Sequence, residues 1–199
     1  GVEVCYGQHT NICNGRPLTD PSKVPSLVGP DGEFKSSREY RSAKEDFVAL
    51  DEVILEIEAQ YRRFKELTGR EPQYFEGHAV ASRNFFKGLA IVAERHGLKY
   101  CPLSFGNEPV RIGNTDTYMW LESMKPDYDP MASIQNAVLN GHDGACDIYV
   151  CHPGYLDSYI LKHSSMTMIR PMEVEAVCSA ELKQWLDRLD VQLITYDDL

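Results

Sequence analysis

Apolar residues recur every three or four positions between about residues 49 and 68, the clearest periodic segment of the chain. The periodic positions are Leu50, Val53, Ile54, Ile57, Tyr61, Phe64 and Leu67. Most charged residues of the segment lie off this stripe, and Gly69 follows as a C-terminal stop. The pattern predicts an amphipathic helix whose apolar face contributes to the core rather than to a cofactor site.

Helical and strand-like patterns alternate along the rest of the chain. Further helices are predicted at about residues 84–96, 130–140 and 171–189, and strands at residues 2–6, 73–78, 98–102, 147–151 and 191–196. Residues 107–125 are ambiguous, and no hairpin signal stands between two strand patterns. This alternation predicts an α/β fold with a mostly parallel sheet, in which residues 1–199 form a single domain.

Residues 14–34 form a turn-rich segment with several prolines and glycines. Long loops in compact domains are usually either functional or disordered. Val24, Leu27, Val28 and Phe34 are interspersed along this one. Their apolar side chains predict a loop that packs against the core.

Composition and charge exclude several function classes. The formal net charge of −10 argues against a nucleic-acid partner, which needs a basic surface. No apolar run approaches the roughly 20 residues of a membrane helix, and no secretory signal is visible. The six cysteines are scattered without a C-x-x-C pair, which indicates reduced, mostly buried thiols and a cytoplasmic protein.

Histidines follow three of the predicted strands: His9, His78 and His152. Because the carboxyl ends of parallel strands lie at one edge of a sheet, we expect the three side chains to converge there. Three such histidines indicate a metal site, or a metal site with a general acid. The alternative is that each only satisfies a nearby carbonyl, and this alternative is preferred for the other three histidines, His96, His142 and His163.

An acidic ligand is not evident beside these histidines. Glu76 lies two residues before His78, so both side chains share one face of their strand, although Glu76 would sit lower in the sheet. Asp157 could orient His152, but a cap of the next helix is the favoured interpretation. The chain also opens at Gly1, without an initiator Met, directly on a strand-like pattern, so we expect a segment upstream to be missing.

Short motifs in order along the whole chain resemble the ChbG/YdjC-like carbohydrate deacetylases. The matching segments are GQHTNI at residues 7–12, GRPL at 15–18, VPSLV at 24–28, GEF at 32–34, EIEAQ at 56–60, CHPGY at 151–155 and residues 191–199, with Phe64, Gly69, Pro72, His78, Arg170 and Glu173. The resemblance implies a distorted (β/α) TIM-like barrel. It also implies removal of N-acetyl groups from small amino-sugar oligosaccharides with a divalent metal ion, Mg²⁺ or Zn²⁺.

Carried over by motif, His9 and His78 are the implied metal ligands, and His152 is the implied proton donor to the leaving amine. The family's first strand carries an Asp-Asp pair, one member a ligand and the other the base, which has no counterpart after Gly1. We therefore expect a chain that lacks its first strand and helix and is catalytically crippled by itself. Val80 also stands where the family often has another histidine, which leaves the substrate class open.

Two other functions remain open from the sequence. One is a non-catalytic sugar-binding or regulatory relative that kept the barrel and lost the acids. The other is a different metal-dependent sugar-active barrel enzyme, such as an isomerase. A strand edge exposed by a missing first strand would favour a homodimer.

Overall fold

The computed structural model describes residues 4–104 and 108–199, which divide into two compact units. The N-terminal unit comprises residues 4–103 and 195–199. The C-terminal unit comprises residues 104 and 108–194. The interpretation of residues 1–199 as a single domain stays a prediction.

The N-terminal unit is a parallel three-stranded sheet with two long helices. Its elements are β1 (Gly7–Thr10), α1 (Ser37–Ser42), α2 (Leu50–Thr68), β2 (Tyr74–Gly77), α3 (Arg83–His96) and β3 (Lys99–Tyr100), with 3₁₀ turns at Pro21–Lys23 and Tyr196–Asp198. The strand order is β1-β2-β3, and both pairings are parallel. The helices predicted at residues 49–68 and 84–96 are thereby confirmed to within one residue.

Helices α2 and α3 form the core of this unit together with β2. Val53, Ile57, Phe75 and Phe85 are fully buried in one apolar cluster. Gly88 allows close packing of the helices, because a Cβ atom there would lie 3.0 Å from both Val53 and Ile57. The periodic apolar face of α2 is therefore core, as the sequence predicts.

Strand β1 separates buried from exposed side chains by the two-residue period of a strand. Gln8 and Thr10 are buried, and the Gln8 amide contacts the backbone carbonyl of Ile57 on α2. His9 lies between them in sequence and is exposed on the opposite face. The strand thus buries Gln8 and Thr10 and leaves the His9 side chain exposed.

The turn-rich segment at residues 14–34 packs as predicted. Val24 and Leu27 are fully buried, and Phe34 is nearly so. A buried carboxylate holds the loop, since Glu56 accepts hydrogen bonds from the backbone N–H groups of Leu18 (3.1 Å) and Thr19 (2.9 Å). The loop is therefore anchored on α2 by both apolar contacts and hydrogen bonds.

The C-terminal unit contains a mixed three-stranded sheet and four helices among its described residues. Its elements are β4 (Val110–Ile112), β5 (Thr115–Trp120), α4 (Pro130–Leu139), β6 (Cys146–Tyr149), α5 (Ser158–His163), α6 (Ile169–Val177) and α7 (Ala180–Arg188). The order is β4-β5-β6, with β4 antiparallel and β6 parallel to β5. The helix predicted at residues 130–140 and the strand at 147–151 are both present, with slightly different bounds.

The sequence analysis found no hairpin signal between two strand patterns, but β4 and β5 form a hairpin. Gly113 and Asn114 form the two-residue connection, and Gly113 has φ +58°. A two-residue hairpin needs this left-handed backbone, which glycine adopts without strain. The signal was a Gly-Asn dipeptide in a segment whose strands are too short to show alternation clearly.

Three predicted elements differ from the structure in whole or in part. The strand predicted at residues 2–6 is absent at Val4–Tyr6, and residues 2 and 3 lie outside the described residues. His9, which was expected to follow that strand, lies within β1. Residues 191–195 also pair with no described strand, and the segment ends in the 3₁₀ turn. Residues 171–189 form two helices because Ser179 caps α7, accepting from the N–H groups of Glu181 and Leu182.

The α/β class with parallel strands is confirmed, but a closed barrel is not observed. The described strands form two separate three-stranded sheets, neither of which closes on itself. Across residues 4–104 and 108–199, no helix has the length and apolar character needed to cross a bilayer. All six cysteines are free thiols; only Cys13 and Cys101 are buried, whereas most were expected to be.

A carboxylate-centred cluster holds the turn before β6. Asp147 accepts hydrogen bonds from the His142 backbone N–H (2.9 Å) and from the Trp120 indole N–H (2.7 Å). Its other contact is the His142 ring nitrogen Nδ1, 2.8 Å away, and the His142 ring stacks on Tyr118 with centroids 3.4 Å apart. Burial acts to raise the pKa of Asp147, but the hydrogen bonds from Trp120 and His142 outweigh it and lower that pKa below its ordinary value.

The Asp147 cluster predicts a pH-dependent stability. A carboxylate whose pKa is lowered by folding stabilises the protein above its unfolded pKa, and this stabilisation is lost as the pH falls through the folded pKa. We expect Asp147→Asn to cost about 1–3 kcal/mol of unfolding free energy at neutral pH. The advantage of wild type should shrink as the pH falls below about 4.

The measurement is urea unfolding of both proteins between neutral and acidic pH. Asp143→Asn, which removes an exposed carboxylate from the same turn, is the matched control and should change little. A wild-type advantage that persists undiminished at acid pH would contradict the assignment of Asp147 as a stabilising carboxylate.

The core of the N-terminal unit predicts a large cost for truncating Phe85. Its side chain is fully buried, so Phe85→Ala should lower the unfolding free energy by about 3–5 kcal/mol through lost burial and a residual cavity. Leu67→Ala, at a residue 69% exposed on α2, should cost much less. Similar urea midpoints for the two variants would be inconsistent with this core.

Candidate functional site

His9 and His78 meet at one edge of the parallel sheet. The Nε2 atom of His9 lies 2.9 Å from the Nδ1 atom of His78, and the two rings are nearly perpendicular, with an interplanar angle of 73°. His78 directly follows β2, and its backbone N–H donates to the Thr10 carbonyl (2.8 Å), which extends the ladder between β1 and β2. The convergence expected for this pair of histidines is therefore observed.

Glu76 occupies the other side of the His9 ring. It is the residue of β2 directly opposite His9 in the register, and its Oε1 atom lies 2.7 Å from His9 Nδ1. Both side chains are partly exposed, 53% for His9 and 32% for Glu76. The sequence placed Glu76 on the same face as His78 but did not identify His9 as its partner, because that contact depends on strand register.

The two histidine nitrogens fit part of a metal site. Metal–nitrogen bonds of about 2.0–2.1 Å would allow both atoms to bind one ion at their observed separation. Within residues 4–104 and 108–199, however, no group of three His, Cys, Asp or Glu side chains is arranged to hold an ion. Val80, at the position where a further histidine was considered, is buried in the core, with 2% exposure.

A cavity of about 300 Å³ adjoins His9 between β1, the loop and α2. Its lining combines polar and apolar side chains, among them Asn11, Arg16, Leu18, Gln60, Arg63 and Phe64. Gln60 in this lining donates to the Asn11 carbonyl (2.6 Å) and accepts from the Asn11 N–H (3.0 Å). Mixed linings of this kind suit a polar small molecule with apolar faces.

Arg63 lines this cavity, a position that the sequence pattern did not single out. It belongs to the charged residues of α2 that lie off the periodic apolar stripe, and its half-exposed side chain pairs with Glu66 (3.0 Å). Arg16 and Gln60 were recognised only as parts of motifs. No local signal predicted their juxtaposition, which depends on how the loop folds back onto α2.

His152 lies in the C-terminal unit, where its backbone is held on both sides. Its N–H donates to the carboxylate of Glu173, and its carbonyl accepts from Arg170 Nη1 (3.4 Å). The ring nitrogen Nδ1 lies 3.4 Å from Ser123 Oγ. These two hydrogen bonds therefore fix the position of the His152 backbone in the segment after β6.

Glu173 is buried, with 1% exposure, and a buried carboxylate needs several donors. Besides the His152 N–H, it accepts from the Tyr128 hydroxyl (2.9 Å), which also contacts the Tyr149 hydroxyl (2.8 Å). Burial raises the pKa of Tyr128, and the hydrogen bonds to Tyr149 and Glu173 raise it further. Tyr128 is thus a protonated donor at neutral pH.

Cys151 precedes His152 but is not a reactive nucleophile. Burial raises the pKa of its thiol to about 11, and the nearby charge of Glu173 adds to the shift. Because the thiolate is the nucleophilic form, this thiol is unreactive near neutral pH. Cysteine catalysis is therefore not supported at this position.

The remaining candidates have structural partners. Asp157 caps α5, which confirms the favoured interpretation of that residue. His96 lies 3.0 Å from a carboxylate oxygen of Glu58, and His163 Nδ1 lies 2.8 Å from the Tyr159 carbonyl. A carbonyl partner was expected for His96, His142 and His163, and it is confirmed for His163. His96 and His142 each pair with a carboxylate instead.

Three curated proteins are similar to the chain over most of its length. Carbohydrate deacetylase 2 of Listeria innocua is 28% identical over 97% of this chain and 76% of its own length. A carbohydrate deacetylase of Halalkalibacterium halodurans is 29% identical over 94% of the chain and 76% of its own length. A chitooligosaccharide deacetylase of Salmonella heidelberg is 26% identical over 89% of the chain and 71% of its own length.

The fold is also similar to a crystal structure from Enterococcus faecalis V583, described as that of a cellobiose-phosphate cleavage protein. The TM-score is 0.79 at 21% identity, over 96% of this chain and 76% of the other. At that identity the likeness concerns the fold alone. Residues 2–188 match the family model described as YdjC-like protein, and because this match spans nearly the whole sequence, the chain belongs to the YdjC-like family.

Proposed function

We propose that this protein is a metal-dependent carbohydrate deacetylase, which hydrolyses N-acetyl groups of small amino-sugar oligosaccharides. The observation that carries the proposal is the 2.9 Å approach of His9 Nε2 to His78 Nδ1 at the edge of a parallel sheet. The names of the curated relatives, two of them carbohydrate deacetylases and one a chitooligosaccharide deacetylase, support the reaction and the substrate class.

In this proposal His9 and His78 hold a divalent ion, Mg²⁺ or Zn²⁺. When bound, such an ion polarises a carbonyl and lowers the pKa of a coordinated water. The two imidazoles supply neutral nitrogen donors, which suit Zn²⁺ better than Mg²⁺. The carboxylates that the family resemblance assigns as third ligand and base have no counterpart among the described residues.

We assign to His152 the transfer of a proton to the leaving amine. A general acid must be held within hydrogen-bonding reach of the atom that it protonates. The contacts of the His152 backbone with Glu173 and Arg170 support this role, because they limit the movement of the ring's point of attachment. The convergence of His152 with the His9–His78 pair stays a prediction.

The cavity beside His9 is proposed to bind one sugar unit. Its volume, about 300 Å³, lies at the small end of the range for ligand pockets, about 300–1,000 Å³. Arg16, Arg63 and Asn11 offer donors to sugar hydroxyl groups, whereas Leu18 and Phe64 offer apolar surface to the ring faces. The distorted barrel implied by the family is likewise part of the proposal, supported by the fold likeness.

A second candidate is a sugar-binding relative without catalysis. One observation favours it: the described residues bring only two metal-ligating side chains together at His9 and His78, without a third. The two candidates differ in a single outcome, the release of acetate.

The proposed activity is tested by incubating the full-length protein with N-acetylated chito-oligosaccharides and Zn²⁺ or Mg²⁺, and assaying acetate. Wild type should release acetate. His78→Ala should abolish metal uptake with the circular dichroism spectrum unchanged, because one of two nitrogen donors is lost. His152→Ala should keep metal uptake and lower kcat about 10²–10⁴-fold.

The matched control is His163→Ala, which removes a histidine bonded to its own helix. It should alter neither metal uptake nor acetate release. Metal uptake by wild type without acetate from any such sugar would favour the sugar-binding relative, and unchanged metal stoichiometry in His78→Ala would overturn the ligand assignment.

The role of Glu173 in holding His152 gives a separate prediction. Glu173→Ala removes the acceptor of the His152 N–H. A hydrogen bond to a charged group contributes about 1.5–3 kcal/mol, so hydrogen exchange at the His152 amide should accelerate about 10–100-fold. Deacetylase kcat should fall while metal affinity is unchanged. Glu173→Gln retains an acceptor oxygen and should restore part of both properties.

Glu175→Ala, at an exposed residue of the same helix, is the control and should leave the His152 amide as in wild type. Exchange at His152 that is equally slow in Glu173→Ala and wild type would show that Glu173 does not hold this backbone.

A further inference from the structure

Glu76 and His78 contact different nitrogens of the His9 ring. Glu76 Oε1 lies 2.7 Å from His9 Nδ1, and His9 Nε2 lies 2.9 Å from His78 Nδ1. The two nitrogens of an imidazole are on opposite sides of the ring, so Glu76 and His78 contact His9 from opposite sides. An ion bound at His9 Nε2 and His78 Nδ1 would therefore be remote from the Glu76 contact.

The backbone imposes this arrangement. His9 is directly opposite Glu76 in the parallel register of β1 and β2, and the next residue pair, Thr10 and Gly77, continues the ladder. The bond from the His78 N–H to the Thr10 carbonyl extends the same register by one residue. The register thus fixes the backbone positions from which the His9 and Glu76 side chains meet.

The carboxylate determines which nitrogen of a neutral His9 carries the proton. An ionised carboxylate only accepts hydrogen bonds, so the proton lies on His9 Nδ1. Nε2 of that tautomer presents its lone pair toward His78. Ligating histidines are commonly oriented in this way by a carboxylate on their second nitrogen.

We propose that Glu76 is a positioning residue, which fixes the Nδ1–H tautomer and the ring orientation of His9 so that Nε2 is directed toward the site shared with His78. The tautomer assignment is argued from the Glu76–His9 contact and the strand register, and only its consequence for an ion rests on the proposed function. Glu76 was considered from the sequence as an acidic ligand; the observed contact gives it a different role.

The chain offers a matched control within the same unit. Glu58 contacts Nε2 of His96 at 3.0 Å, which is the same carboxylate–imidazole chemistry on the surface of α2 and α3. Glu58→Gln removes that charge without touching β1 or β2. An effect confined to Glu76 variants therefore separates positioning of His9 from a general loss of negative charge.

The first experiment measures the imidazole ¹⁵N shifts of the metal-free, full-length protein at about pH 8, where an ordinary histidine is neutral. Wild type and Glu58→Gln should show His9 as the Nδ1–H tautomer. Glu76→Gln should retain it, because the amide oxygen still accepts, and Glu76→Ala should lose it. A wild-type His9 protonated on Nε2, or a Glu76→Ala spectrum identical to wild type, would overturn the proposal.

The second experiment measures Zn²⁺ affinity by calorimetry. Glu76→Ala should weaken binding about 10–100-fold and Glu76→Gln less, whereas Glu58→Gln should bind as wild type does. Equal affinity in wild type and Glu76→Ala would refute the positioning role and leave the proposed function intact. A wild type with the expected tautomer but no Zn²⁺ uptake would refute the metal-dependent function and support the positioning role.

Discussion

The parallel register of β1 and β2 is the constraint on which the candidate site depends. It sets His9 opposite Glu76 and lets the ladder continue to His78. Because successive side chains of a strand alternate between faces, a shift of one residue would turn His9 toward α2 and Gln8 outward. The buried side chains of Gln8 and Thr10 resist that shift, so the packing of α2 against the sheet also determines the position of the site.

Buried carboxylates hold the irregular segments of both units. Glu56 binds the backbone of the loop at Leu18 and Thr19, and Glu173 binds the backbone at His152. Loops cannot satisfy their backbone groups through helices or ladders, and a carboxylate can accept several hydrogen bonds at once. Burial of a charge is costly, so each carboxylate is accompanied by further donors, Gln60 for Glu56 and Tyr128 for Glu173.

Prediction from sequence succeeded where a pattern is long or chemically local. The helices α2 and α3 were found because they extend over many turns and end at glycines with left-handed backbone, Gly69 and Gly97. It failed at the β4–β5 hairpin and at residues 191–196, where the segments are short. Apolar residues in a short segment indicate burial without indicating a partner, and the terminal segment has Tyr196 stacked on Tyr74 instead of pairing as a strand.

The sequence by itself determined the class of fold, the packed loop, the helices α2 and α3, and the convergence of His9 and His78 at one edge of a sheet. Only the tertiary structure decided that Glu76 contacts the far side of His9, that Glu173 holds His152, and that Arg63 joins Arg16 around a cavity. The reason is physical: periodicity and turn residues act over a few positions, whereas register and loop packing join residues such as His9 and Glu76 that are 67 positions apart.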